Sequence, residues 1–327
     1  MSKAIPSHTS RTKPARSSAA AKKTASGDSS SPPTVSGRWL LGAIGAVMVA
    51  AAFCAWGALC LIFWQGSWQL LYHPQVTVAR TPANIGLAFD DLGFAVTEAG
   101  VPRLNGWWIP AVPGARYTRY TALYLHGATG NLGDTVDALA RLHSAGLNVF
   151  AFDYRGYGQS RPDHPSEVHW REDAEWALQY LTGTRHVAAG SIVLVGNGLG
   201  ANLALEIAAS HPELAGVVLD EPLVASTDAI FRDPRARLVP AHWLVREQWD
   251  SNAPATSLRI PSLWFYRPAK VPTTKASVLP ESFKRVPARK VLVWLPAADK
   301  DDADYTSTLT AWLDDLHDET HAAKNVR

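Results

Sequence analysis

The chain has 327 residues, of which 47% are hydrophobic and 18% charged, and its 31 Lys and Arg residues stand against 29 Asp and Glu. A formal net charge of +2 excludes the concentrated basic surface that nucleic-acid binding requires, so we expect no nucleic-acid partner. The only two cysteines, Cys54 and Cys60, lie in one apolar stretch. They provide neither a disulfide framework nor a cysteine-based zinc site, and we expect no metal and no cofactor.

The first 38 residues are rich in Ser, Ala, Thr, Pro and Lys and contain almost no large apolar side chain. Such a segment cannot bury enough surface to offset the entropy of ordering its backbone, so residues 1–38 are predicted to be a disordered tail. The tail is basic, because a single acid, Asp28, faces seven cations. These cations are Lys3, Arg11, Lys13, Arg16, Lys22, Lys23 and Arg38.

Residues 39–64 follow without a charged side chain and have tryptophan at both ends. This stretch exceeds the roughly 20 residues that a helix needs to cross a bilayer, and it is longer than the apolar core of a cleaved signal peptide. We therefore expect a single-pass transmembrane helix in the cell membrane, with the lipid bilayer as its partner. The basic residues precede this helix and none lies between Gln65 and Ala79. The positive-inside rule then places the N-terminus in the cytoplasm and the C-terminal domain outside.

After the apolar stretch, a linker is predicted over residues 65–82, a domain over 83–320 and a short tail over 321–327. Within the domain, apolar runs alternate with helical stripes. Strands are predicted at 87–96, 103–109, 121–125, 148–152, 191–195, 216–219, 262–266 and 290–294, and helical stripes at 170–181, 200–208 and 305–316. Continuous apolar strands between helices indicate an α/β domain with a mostly parallel sheet and ligand sites at the carboxyl ends of the strands.

A glycine-rich turn follows the fifth predicted strand and opens a predicted helix. Gly196, Gly198 and Ala201 match the dinucleotide fingerprint G-x-G-x-x-[GA]. Asp220, at the end of the next strand, would then bind a ribose hydroxyl. Gly196 and Gly200 equally match the nucleophile elbow G-x-S-x-G, with Gly198 where the serine belongs. The local pattern alone favours the dinucleotide.

The surrounding motifs favour the elbow. A strand ends in an HG loop at residues 125–131, and DYRGYGQS follows at 153–160. The stretch LLYHPQ stands at 70–75, directly after the apolar segment, and PAHWLVREQWDS stands at 240–251. With these motifs in this order, the body of the chain resembles the α/β-hydrolases, in particular their Bem46-like, membrane-anchored branch. The resemblance implies an α/β-hydrolase fold.

The resemblance also implies where a catalytic triad would lie. The nucleophilic serine maps to Gly198, which has no side chain and cannot form an acyl intermediate. The loop expected to hold the acid has Lys270 and no carboxylate, and Lys300 stands about where the histidine is expected. No histidine occurs between His242 and His317. All three triad positions are therefore occupied by other residues, which favours a protein without catalytic activity.

The oxyanion side of the implied site is better retained. The N–H of Leu199 and an N–H in the loop of Gly127 and Ala128 are positioned by the resemblance to bind a carbonyl or anionic oxygen. Such a cavity would bind a carboxylate, an ester or a lipid head group without turning it over. The alternative is that the glycines serve only to let strand, turn and helix pack closely.

Three functions stay open from the sequence. The first is binding or scaffolding by a membrane-anchored hydrolase-like domain, with an acyl or lipid ligand or a protein partner. The second is an active ester, lipid or peptide hydrolase with a relocated nucleophile, for which Ser160 is the weak candidate. The third is a dinucleotide-binding protein that uses the glycine-rich turn.

Overall fold

The computed structural model describes residues 36–223, 227–267, 279–295 and 302–325. Almost all of the tail predicted over residues 1–38 lies outside the described residues. Lys270 and Lys300 do so as well, so the predictions for the acid and histidine positions rest on the sequence. The last helix continues past residue 320, the predicted end of the domain, to Asn325.

The apolar stretch forms one helix, α1 (Gly37–Gly66), followed by a 3-10 turn that ends at Leu70. Its mean hydropathy reaches 2.4 over an 18-residue window, so it is long and apolar enough to cross a membrane. A core helix of a soluble protein can pass the same test, but only 6% of this window is buried. Every residue from Trp39 to Ala58 except Ala43 is exposed. Phe63, in contrast, is 2% exposed and belongs to the core of the domain.

Within residues 65–82, predicted as a linker, the part around Leu71 and Tyr72 packs against the domain. Leu71 and Tyr72 are 6% and 1% exposed, and the short strand β1 (His73–Pro74) pairs in parallel with β5 (Thr129–Gly130). The partners of these residues are distant in the sequence, so the contacts have no local signal.

Tyr72 links the segment after α1 to the PAHWLVREQWDS stretch. Its hydroxyl donates to Glu247 Oε2 at 2.6 Å and accepts from Trp249 Nε1 at 2.9 Å. Glu247 Oε2 also accepts from the N–H of Glu167 at 2.8 Å. Burial raises the pKa of both Tyr72 and Glu247. Two motifs that carried the sequence resemblance therefore form one buried hydrogen-bonded group.

The domain is built on an eight-stranded sheet in the order β10-β9-β8-β7-β4-β6-β3-β2. The strands are β2 (Asp90–Phe94), β3 (Leu104–Ile109), β4 (Thr121–Leu125), β6 (Asn148–Asp153), β7 (Ile192–Asn197), β8 (Gly216–Asp220), β9 (Ser262–Tyr266) and β10 (Lys290–Trp294). In this sheet β3 is antiparallel to both of its neighbours, β2 and β6, and the other pairs of adjacent strands are parallel. This mostly parallel sheet confirms the predicted fold class.

Helices cover both faces of the sheet. They are α2 (Val136–Ser144), α3 (Glu167–Gln179), α4 (Leu199–Ser210), α5 (Asp228–Arg232), α6 (Ala241–Leu244), α7 (Asn252–Ser257), α8 (Glu281–Arg285) and α9 (Asp302–Asn325). Buried side chains of α3 and α4 belong to one core, and those of α2 and α9 belong to the other. Strand β4 contributes to both cores because alternate residues point to opposite faces. Leu123 and Leu125 lie in the first core, and Ala122 and Tyr124 in the second.

Candidate functional site

The glycine-rich turn forms a sharp strand-turn-helix junction between β7 and α4. Gly198 has φ +56° and ψ −121°, a backbone conformation that residues other than glycine rarely adopt. Its N–H donates to Asp220 O at 2.9 Å, and its carbonyl accepts from Ala201 N at 3.1 Å. The turn therefore has the strained geometry expected of an elbow, and glycine adopts it with little cost.

The three glycines of the elbow are there for different reasons. A Cβ on Gly196 would overlap the main chain of Gly200 and would lie 2.6 Å from the Cα of Ala201. A Cβ on Gly200 would overlap the carbonyl oxygens of Leu125 and His126. A Cβ on Gly198 would meet no described atom within 4 Å. Close packing thus explains Gly196 and Gly200, as the alternative interpretation held, but it does not explain Gly198.

The open space beside Gly198 belongs to a cavity of about 720 Å³ at the carboxyl ends of the strands. The predicted oxyanion residues Gly127, Ala128 and Leu199 all line it. Apolar lining comes from Leu70, Leu71, Ala138 and Leu223, and polar lining comes from His73, Tyr124, Thr129, Asp134, Thr135, Asp137, Arg141, Asn197, Asp220 and Arg232. The structure therefore brings the predicted elbow and oxyanion residues together at one cavity.

Two main-chain N–H groups at this cavity are available to a ligand. Leu199 is the first residue of α4, and no side chain caps this helix end. Among the described residues, neither the Leu199 N–H nor the Ala128 N–H has a hydrogen-bond acceptor. The first N–H groups of a helix carry a partial positive charge and favour an oxygen ligand.

The loop that carries Ala128 is held from behind. The Ala128 carbonyl accepts from the Tyr157 hydroxyl and from His73 N, each at 2.8 Å. The buried His126 ring lies with Nδ1 2.7 Å from Gly127 O and Nε2 3.5 Å from Asp153 Oδ1. These contacts fix the loop on the side of the cavity that faces α4.

The three carboxylates in the lining are all bonded within the protein. Asp134 Oδ2 accepts from Asn131 N at 3.0 Å, and Asp137 Oδ1 pairs with Arg80 at 3.0 Å. Asp220 Oδ1 accepts from Arg267 Nη1 at 2.5 Å. Burial raises the pKa of Asp220, although the Arg267 guanidinium acts to lower it. Each of the three carboxylates therefore already accepts a hydrogen bond from the protein, so none is left unpaired beside a ligand oxygen bound at the Leu199 N–H.

Arg267 also bears on the triad prediction. It is the first residue after β9, in the loop where the sequence resemblance places the catalytic acid. A cation there, paired with Asp220 from the neighbouring strand, is the reverse of the charge that would orient a catalytic histidine. The pairing also engages the carboxylate that the dinucleotide interpretation assigns to a ribose.

The relocated-nucleophile candidate lies elsewhere. Ser160 is 6% exposed and does not line the cavity. Its hydroxyl donates to Asp153 O at 2.5 Å and accepts from Asn105 N at 2.9 Å, so both of its functions are used to join β3 to the DYRGYGQS turn. His317 lies on α9 beside the Tyr120 ring, also outside the cavity lining. In the described part of the chain, no three His, Cys, Asp or Glu side chains are placed to hold a metal ion.

Sequence reasoning missed most of the polar cavity residues, among them His73, Arg141 and Arg232. His73 was assigned only to the membrane exit, and its pairing with the Thr129 strand is a long-range contact. Arg141 lies on the last turn of α2, where a helical surface arginine is unremarkable by pattern. No local signal in the sequence distinguishes these residues from ordinary surface cations.

Comparison with known proteins places the chain among hydrolase-fold proteins. A family model described as "Alpha/beta hydrolase family" matches residues 122–325. An uncharacterized protein of Mycobacterium tuberculosis is 31% identical over 55% of this chain and 61% of its own length. The alpha/beta hydrolase domain-containing proteins WAV2 of Arabidopsis thaliana and 17C of Mus musculus are 28% and 32% identical, over 47% and 40% of their lengths. The chain thus spans about half the length of these relatives.

Solved structures show the same fold. An esterase of Pyrococcus furiosus matches with a TM-score of 0.57 at 19% identity, covering 75% of this chain and 98% of the esterase. An acetyl xylan esterase of Paenibacillus matches with a TM-score of 0.52 at 17% identity, covering 78% of this chain and 93% of that enzyme. At this identity the likeness concerns the fold alone.

Proposed function

We propose that this chain, which belongs to the alpha/beta hydrolase family, is a membrane-anchored, Bem46-like member that binds carbonyl or carboxylate ligands without hydrolysing them. The observation that carries this proposal is the open cavity at Gly198. A site kept only for packing would be filled at this point, whereas a Cβ here would meet no described atom within 4 Å. The oxyanion-type N–H groups are retained beside a position that carries no nucleophile.

Lack of hydrolysis follows from the residue types available. Gly198 provides no atom that could attack an ester, and Lys270 and Lys300 stand at the positions expected for the acid and the histidine. Arg267 at the end of β9 adds a further cation on the acid side. A bound ester would have its carbonyl oxygen stabilised, but the described residues that line the cavity include neither a serine nor a cysteine to attack its carbonyl carbon.

The cavity lining favours a ligand with one polar end and one apolar end. The Leu199 and Ala128 N–H groups would donate to the ligand oxygen, as in the stabilisation of an oxyanion. Leu70, Leu71 and Leu223 provide apolar surface in the same cavity. A medium-chain carboxylate such as octanoate combines the two features and is a suitable probe.

Binding is tested with octanoate and the full chain held in lipid nanodiscs. We expect saturable binding by calorimetry, and we expect no labelling by a fluorophosphonate, which reacts with activated serines. Ala138→Trp should weaken octanoate binding by at least about tenfold, because the residue lines the cavity and an indole would occupy it. Ala140→Trp is the matched control, since it lies on the same helix, α2, but outside the cavity lining.

Two outcomes would contradict the proposal. Stoichiometric fluorophosphonate labelling would show an active nucleophile and would refute the loss of catalysis. Equal octanoate binding by the Ala138→Trp and Ala140→Trp proteins would place the ligand outside this cavity.

We further propose that α1 anchors the protein in the cell membrane as a single-pass helix with the N-terminus in the cytoplasm. The exposed apolar surface of α1 and the basic residues before it support this arrangement. A C-terminal alkaline phosphatase fusion should be active and a C-terminal green fluorescent protein fusion dark, because each reporter works on one side of the membrane. A fluorescent C-terminal fusion with inactive phosphatase would reverse the topology.

A further inference from the structure

A basic and apolar segment of the domain lies against the end of α1. It comprises residues 232–246, here called the cap segment, and it includes α6 and a 3-10 turn at Pro234–Arg237. Two large apolar side chains of the cap segment face solvent, Leu238 with 62% and Trp243 with 89% of its surface exposed. Among the described large apolar side chains Trp243, on α6, is the most exposed, more so than any on α1.

The cap segment contacts α1 where that helix begins to pack against the domain. The indole Nε1 of Trp56 donates to Leu238 O at 3.0 Å. Further along the same helix, the Arg246 guanidinium lies over the Trp64 ring at 4.4 Å from its centroid. One segment of the domain therefore follows α1 from Trp56 to Trp64.

The exposure of α1 shows where a bilayer surface would cross it. From Trp39 to Ala58 every residue but Ala43 is exposed, about 20 residues or about 30 Å of helix, which matches the hydrocarbon thickness of a bilayer. Beyond Ala58 the helix is exposed on one side only, because Leu59, Cys60 and Phe63 pack against the domain. Trp56 then lies at the membrane-water interface, where tryptophan is enriched. Because Trp56 bonds to Leu238, the cap segment lies at the same interface.

The charges of the cap segment fit lipid head groups. It carries four arginines and a single acid, Asp233. Asp233 is paired with Arg235, with Nε to Oδ1 at 2.9 Å. The Arg237 side chain has no hydrogen bond or ion pair with any described residue, and it is exposed next to the exposed Leu238. An unpaired cation beside exposed Leu and Trp side chains is the combination that binds a phosphate-bearing bilayer surface.

We propose that the cap segment is a second membrane contact, in which Leu238 and Trp243 insert into the interfacial layer of the bilayer that α1 crosses. This inference rests on the proposed anchoring by α1. Arg232, the first residue of the cap segment, also lines the cavity beside Gly198, as do Leu70 and Leu71 just after α1. The cavity therefore opens beside the lipid surface, and its ligand is an amphiphile that enters from the bilayer, such as a fatty acid or a lysolipid.

The contact is tested with a fluorescent label at single cysteines in the full chain, with Cys54 and Cys60 replaced by Ala. Leu238→Cys and Trp243→Cys carry the label at the proposed contact. Val112→Cys is the control, since it is 56% exposed and follows β3, whose end at Ile109 pairs with Val149 near the start of β6. Position 112 therefore lies near the amino ends of the parallel strands, whereas the elbow lies at their carboxyl ends.

The labelled proteins are reconstituted in phosphatidylcholine vesicles, with and without one-fifth phosphatidylglycerol, that contain a lipid with a nitroxide near the glycerol end of its acyl chain. We expect the labels at positions 238 and 243 to lose about half of their fluorescence, because interfacial side chains reach ~5–10 Å into this layer. The label at position 112 should lose little. Quenching at 238 and 243 no greater than at 112 would overturn the inference.

The result is separate from the ligand experiment. Quenching at positions 238 and 243 together with absence of octanoate binding would leave the membrane contact standing and remove the proposed ligand. Octanoate binding without stronger quenching at positions 238 and 243 than at 112 would leave the proposed ligand standing and remove the membrane contact. Comparable cooperative melting of the three labelled proteins ensures that the quenching compares folded domains.

Discussion

Replacing Asp173 by Asn should lower the free energy of unfolding by about 3 kcal/mol, the lower end of the cost of breaking a buried pair, because it removes the buried counter-ion of Arg155 and leaves only Glu172, whose side chain is 49% exposed. Asp173 is fully buried, and Arg155 is 8% exposed. The carboxylate accepts from Arg155 N at 2.9 Å and from Arg155 Nε at 2.7 Å. This pair joins the DYRGYGQS turn to helix α3, so the substitution weakens the frame behind the Ala128 loop.

The measurement is chemical denaturation of the full chain at about pH 8. Burial raises the pKa of Asp173 to about 6, even though the Arg155 bonds act to lower it, so the carboxylate is ionised at this pH. Asp90→Asn is the matched control, because its pair with Arg185 at 3.2 Å is exposed, with 64% of the Asp90 side chain in solvent. The control should lose less than about 1 kcal/mol. Equal losses of unfolding free energy in Asp173→Asn and Asp90→Asn would show that the buried Arg155 pair stabilises the fold no more than the exposed pair does.

The sequence predicts the central strands of the sheet well, for a physical reason. Strands β4, β7, β8 and β9 are buried on both faces, so they consist of continuous apolar runs that need no partner to be recognised. The edge strand predicted over residues 87–96 is shorter in the structure, Asp90–Phe94. Ala95, with φ +53°, ends the extended conformation there, and an alanine gives no sequence signal for a positive φ.

The candidate site was predictable only in part. The spacing of its glycines identifies the elbow because the turn imposes a local backbone requirement. Whether the position of Gly198 is open or filled depends on the surrounding loops, and so does the pairing of Asp220 with Arg267. The contact of Trp56 with Leu238 joins residues 182 apart in the chain. Such long-range contacts leave no periodic signal in a single sequence.

The glycines of the elbow give the sharpest test of why each is present. Gly200→Ala should lower the free energy of unfolding by about 3 kcal/mol or more, at the upper end of what overpacking costs. Its Cβ would overlap the carbonyl oxygens of Leu125 and His126, so α4 would have to move away from β4. Gly198→Ala should cost less, about 1–2 kcal/mol, since its Cβ meets open space and only the strained backbone conformation opposes a side chain. Chemical denaturation of the two variants measures the difference.

Gly198→Ser extends the same comparison to function. It should be about as stable as Gly198→Ala and should still not react with a fluorophosphonate, because Lys300 and not a histidine stands at the position expected for the base, and the main chain of His73, the histidine in the cavity lining, is held in strand β1. Labelling of Gly198→Ser would mean that a base has been retained near the elbow and that the loss of catalysis rests on Gly198 alone. Equal destabilisation by Gly198→Ala and Gly200→Ala would mean that the turn is closed in solution. A closed turn would leave the Leu199 N–H without access to a ligand and remove the basis for binding.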